Sequence, residues 1–180
     1  MLRRLAVLCL PLLLAACSIK VALTTYTQPV GRFSVLVPEP GTMTYQSRSM
    51  KYIGGEVLQH GYATEKDKVV YAVNYFDIPP EINAELRRQR TDYSAVPGLL
   101  GMIDANNWDA SEIRTAQVRD PAGRTAYGKQ FHVNNGKQVL LVKVLWHKDR
   151  MYQVILARPA KATYQQETNG DKFFDSFKLI

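Results

Sequence analysis

Cysteine is nearly missing from this chain: of 180 residues only Cys9 and Cys17 are cysteines. From Ser18 onward there is no thiol to close a disulfide, bind zinc as a thiolate or act as a nucleophile. A folded body must therefore be held by packing alone. Histidine is scarce too. His60, His132 and His147 form no i, i+4 pair and no His-x-His pair, so a zinc site with three converging ligands has no local seed. Gly-x-Ser-x-Gly and Ser-x-x-Lys are absent, and Gly98-Leu-Leu-Gly101 lacks the Lys and Ser/Thr that follow in a phosphate loop. The acidic residues scatter except from Asp104 to Glu112, a polar loop around Trp108 whose alternative reading is a carboxylate cluster. No catalytic residue, metal ligand or cofactor is expected on these grounds. Long apolar runs are also lacking. Leu5 to Ala16 is apolar apart from Pro11, well short of the roughly 20 residues that cross a bilayer.

That short run is informative in its setting. Arg3 and Arg4 precede it and the small residues Ala15 and Ala16 close it, the pattern of an export signal. Leu14-Ala15-Ala16-Cys17 resembles the lipobox of bacterial lipoproteins. The resemblance implies that residues 1–16 are removed and that Cys17 carries a diacylglyceryl group and, on its new amine, a further acyl chain such as palmitate. Ser18, standing where an Asp would retain such a protein at the inner membrane, implies the periplasm-facing side of a Gram-negative outer membrane. In a Gram-positive cell it implies the outer face of the plasma membrane. The bland alternative is an ordinary secretory signal followed by a chance cysteine.

Negative charge is in short supply. Removing Arg3 and Arg4 from the 23 Lys+Arg leaves 21 against 16 Asp+Glu. Nucleic acid is not an expected partner for an exported chain, and a modest basic excess suits a solvated surface. Residues 17–31 read as the lipidated cysteine and a tether ending in Pro29 and Gly31, and 32–180 as one globular domain.

Within that domain, Phe33–Val37 reads as a strand ended by Pro38-Glu-Pro40-Gly41, and 43–53 as a weak polar strand or loop. Residues 56–65 and 69–78 flank Lys66-Asp67-Lys68 as a hairpin. The second of these strands is apolar on both faces, which predicts a covered position. Residues 81–106 read as helical, with Val96, Leu99, Leu100 and Ile103 in one stripe. Strands follow over 110–119, 124–134, 137–147 and 151–158, with Asn135-Gly136 a strong hairpin signal and 139–146 the most apolar strand, expected centrally. Lys161–Phe177 reads as a helix in two pieces around Asn169-Gly170.

This order predicts an α+β fold, an antiparallel sheet of about six to eight strands with helices packed on its faces. Three stretches, Gly31-Arg-Phe-Ser-Val-Leu-Val-Pro38, Tyr75-Phe-Asp-Ile-Pro-Pro80 and Phe173-Phe-Asp-Ser-Phe-Lys-Leu179, resemble the PsbP fold family. That resemblance implies a sandwich acting as a binding or assembly accessory, and no functional residue of the family carries over. Two candidate surfaces come from the residues themselves. Arg87, Arg88 and Arg90 would meet anionic headgroups or simply face solvent beside Glu85. Tyr62, Tyr71, Tyr75 and Trp108 would form an aromatic interface or border the core. The expectation is a lipid-anchored, non-catalytic envelope protein whose partners are the membrane, through Cys17, and an envelope protein. One alternative is a carrier or sensor of a small apolar or anionic ligand held between the sheet and 81–106. Another is a hydrolase, which needs His132 or His147 beside a carboxylate in a cleft.

Overall fold

A computed structural model describes residues 22–52, 55–80, 83–84 and 109–180. Seven strands form one antiparallel sheet in the order β3 (Thr44–Tyr52), β4 (Gly55–Lys66), β5 (Val69–Asp77), β9 (Arg150–Pro159), β8 (Gln138–His147), β7 (Thr125–Asn134), β6 (Asp109–Arg119). A second sheet of three strands runs β1 (Leu23–Gln28), β2 (Phe33–Pro38), β10 (Lys178–Leu179). One helix, α1 (Tyr164–Ser176), completes the described elements. The architecture is a mostly antiparallel α+β sandwich.

The turns follow their chemistry. Asp67 and Lys68 both take positive φ, at 52° and 63°, which is what a two-residue hairpin matched to strand twist requires. In the β7–β8 turn only Gly136 enters the left-handed region, while the Asn135 side chain accepts the N–H groups of Lys137 and Gln138. The smaller sheet and α1 cover one face of the large sheet. Phe33, Val35, Val37, Tyr71, Tyr75, Leu156, Phe173 and Phe177 interlock there in a buried cluster. A second cluster, including Phe76, Phe131, Val144, Trp146 and Met151, lies on the opposite face. β5 thus contributes to both cores, as its two apolar faces predict.

Four expectations need correction. Residues 23–28 are not tether. They form β1, paired residue for residue with β2 from Leu23↔Pro38 to Gln28↔Phe33. Residues 44–52, read as weak, pair along their whole length with β4 as the edge of the large sheet. The middle strand is β9, with β8 beside it. The C-terminal helix is one continuous piece. Asn169 and Gly170 are buried within it, and Gly170 is there for space: a Cβ would collide with the Leu156 side chain. Thr163 and Gln166 form a capping box at its start. Its last turn has no cation of its own. Lys143, from β8, supplies one by donating to the Phe174 carbonyl at 2.7 Å, where the helix dipole favours positive charge. The helical reading of 81–106 lies outside the described residues except at Asn83 and Ala84, both helical.

Candidate functional site

Two turns of the large sheet and one of the smaller sheet meet at one end of the sandwich. The β6–β7 turn (120–124), the β8–β9 turn (148–149) and the β1–β2 turn (29–32) surround a cleft of about 190 Å³. Arg32, Asp120, Arg124, His147, Lys148 and Tyr152 supply its polar lining, and Leu179 and Ile180 its apolar wall.

Asp120 is the organiser. Its Oδ1 accepts the Arg124 backbone N–H at 2.8 Å and its Oδ2 accepts Arg124 Nε at 2.7 Å. Burial pushes this carboxyl upward, but the Arg124 hydrogen bonds and charge more than offset it and hold it below the ordinary carboxylate range. His147 Nε2 lies 3.2 Å from Asp120 Oδ2. That is ion-pair distance, and Nε2 is buried with no other partner among the described residues. Burial, helped by Lys148 and Arg124 and opposed by Asp120, keeps this imidazole below its ordinary pKa and hence neutral at pH 7.

Behind the cleft, β9 clamps the β1–β2 turn. Arg150 binds Asp77 with two bonds of 2.6 and 2.9 Å, donates to the Val30 carbonyl at 2.7 Å and stacks 4.4 Å above the Tyr75 ring. Tyr152 donates to the Gly31 carbonyl at 3.0 Å. Gly31 has no room for a Cβ, which would meet Phe33 at 2.7 Å and Tyr75 at 2.9 Å. These contacts explain why a segment resembling a linker is fixed.

A histidine and a carboxylate do meet in a cleft, as a hydrolase requires. The described lining contains no serine, threonine or cysteine, the side chains that a histidine–carboxylate pair commonly activates. His60 serves elsewhere: it stacks on Tyr75 and shares a 2.9 Å hydrogen bond with the Tyr45 hydroxyl.

The aromatic-interface expectation fails where it is described. Tyr62, Tyr71 and Tyr75 are 7%, 2% and 1% exposed. They are core residues, and burial, with Asp67 nearby, pushes the Tyr71 hydroxyl up to about 12. Among the described residues the exposed tyrosines are Tyr45, Tyr127 and Tyr164. Cys17, Arg87, Arg88, Arg90 and Trp108 lie outside the described residues. No described helix is long and apolar enough to cross a membrane, and no group of three metal-binding side chains occurs among the described residues.

No family model matches the chain, and no curated protein matches it. Among solved structures, cyanobacterial PsbP (CyanoP) from Synechocystis sp. PCC 6803 is a neighbour. It aligns over 92% of this chain and 96% of its own, at 13% identity and a TM-score of 0.48.

Proposed function

We propose that the protein is a lipid-anchored component of the bacterial envelope that acts as a non-catalytic binding or assembly accessory, held to the membrane through Cys17. The observation that carries this reading is how soon folded structure begins: β1 starts at Leu23, so only residues 18–22 separate it from Cys17. Six Cα steps of at most about 3.6 Å span roughly 20 Å. A domain on so short a lead stays against the bilayer surface and meets partners there. Two or three acyl chains, at about 0.8 kcal/mol per buried methylene, hold such a domain where a single myristoyl chain would let it exchange.

Among the described residues the clefts are small, and the space between the sheet and 81–106, where a carrier would hold its ligand, lies outside them. The cleft at the turn end measures about 190 Å³ and a notch beside Arg48 and Gln59 about 140 Å³, against the roughly 300–1,000 Å³ of small-molecule pockets. A larger hollow of about 570 Å³, beside Leu36, Tyr164 and Lys172, is an open trough on the surface.

The test is direct. Cys17→Ser should abolish labelling by a clickable fatty acid and release the protein from the membrane fraction, and continued labelling would refute the anchor. Crosslinking of the lipidated protein in cells, read by mass spectrometry, should trap one recurrent envelope protein. Capture of nothing specific would count against the accessory role.

A further inference from the structure

We propose that the cleft between the β1–β2, β6–β7 and β8–β9 turns is a binding site for a phosphate group. This goes beyond the anchoring and accessory reading, which rests on Cys17 and would survive its failure.

The first observation is where the backbone is strained. Among the described residues four non-glycine residues have φ in the left-handed region, and two of them, Arg32 (55°) and Lys148 (60°), line this one cleft. Lys148 opens a two-residue turn in which it alone has positive φ, a position that glycine takes at no steric cost. Glycine would suit the turn better, so the lysine is there for its side chain. Strain in such places clusters at ligand sites.

The turn is also held still. The Lys148 carbonyl accepts Trp146 Nε1 at 2.7 Å and Asn83 Nδ2 at 3.1 Å, and the Asp149 carbonyl accepts the Ile78 N–H at 2.6 Å. Arg32 is fixed by its own N–H on the Pro29 carbonyl and by its carbonyl, which accepts the Ile180 N–H. Both cations are thus presented from rigid backbone, which lowers the ordering cost of binding.

The second observation is chemical. Three cationic side chains, Arg32, Arg124 and Lys148, share the lining with one acidic side chain, Asp120, which Arg124 already engages. The imidazole Nε2 of His147 is buried there, 3.2 Å from Asp120 Oδ2 and with no other partner among the described residues. Net positive charge beside a buried imidazole suits an oxyanion: its oxygens accept from the guanidinium and ammonium groups and can share Nε2–H with Asp120. A volume of about 190 Å³, some six water volumes at about 30 Å³ each, admits a phosphate with a small substituent.

Two sources of phosphate share this chemistry, a soluble phosphate and a lipid headgroup. The strand direction favours the soluble one. The chain enters β1 at Leu23, opposite Pro38, and reaches the cleft only after Gln28, so the cleft opens at the end of β1 away from the point where the chain enters it.

The experiment uses the full mature chain carrying Cys17→Ser, so that no acyl chain anchors it to vesicles, at low ionic strength. Inorganic phosphate is titrated by calorimetry with chloride as control, and flotation is run with vesicles of 20% phosphatidylglycerol in phosphatidylcholine, then phosphatidylcholine alone. Phosphate should bind, and Lys148→Gly should weaken it by about tenfold or more while the Tm stays level or rises. Arg32→Gly gives the same reading if the first variant misfolds. Binding only to the anionic vesicles, lost in the same variants, supports the site with a headgroup as its source. Binding unchanged in both variants, heat equal to that of chloride, or no binding to either probe would overturn the proposal.

Discussion

Asp77 and His147, the last residues of β5 and β8, both tie stability to pH through different chemistry. The Arg150 hydrogen bonds hold the Asp77 carboxyl below its ordinary 3.8, against the opposing effect of burial. The folded pKa is depressed, so the stabilisation is complete above about pH 4 and is lost as pH falls through the folded value. Asp77 is 58% exposed, so solvent screens the pair, and Asp77→Asn should cost about 1–2 kcal/mol near pH 7. His147 is also depressed, from 6.5, chiefly by burial. Here the unfolded chain takes up the proton first, so stability falls as pH drops from about 6.5 through the folded value. Urea midpoints at pH 7.5 and 5.5 should differ in the wild type, and His147→Asn should shrink that difference. An undiminished difference would mean that the acid sensitivity arises elsewhere.

At the scale of elements, α1 docks on β9 at a point where a side chain would not fit. Gly170→Ala gains helix propensity worth up to about 1 kcal/mol but forces a Cβ into Leu156. Overpacking of this kind costs about 1–3 kcal/mol, so the net effect should be a lower urea midpoint, recovered in part by Leu156→Val or Leu156→Ala in the double mutant. The same glycine explains one misreading. Asn-Gly is a turn signal when only local conformation is considered, and what keeps this helix intact is contact with a strand that the local sequence does not reveal. The four-strand meander was legible because each of its separators carries turn chemistry. β1 was not, since its polar, alternating residues and the Pro29–Gly31 stretch match a linker, and only pairing with β2 and the grip of Arg150 and Tyr152 hold it. The cleft was partly legible. β7 and β8 have ten residues each, so the β6–β7 and β8–β9 turns must fall at the same end and bring Asp120 to His147. Arg32 could not be placed this way, because it comes from the other sheet.

For the whole molecule, the smaller sheet joins the two ends of the described chain. Leu179 is 4% exposed and pairs with Phe33, and Lys178 pairs with Ser34. Removing residues 178–180 should cost about 3 kcal/mol or more, from the lost burial of Leu179 and the lost β2 partner, read as a drop in urea midpoint with little change in the far-ultraviolet spectrum of the large sheet.

That pairing also sets an order of events. β2 leaves the ribosome early and finds β1 at once, yet the contact closing its other side, from the Leu36 N–H to the Ser176 hydroxyl, spans 140 residues. Contacts so distant in sequence form late, because a long loop must close before they add stability. Until Tyr164–Ser176 and Lys178–Leu179 emerge, the growing chain lacks the helix and the strand that seal the first core.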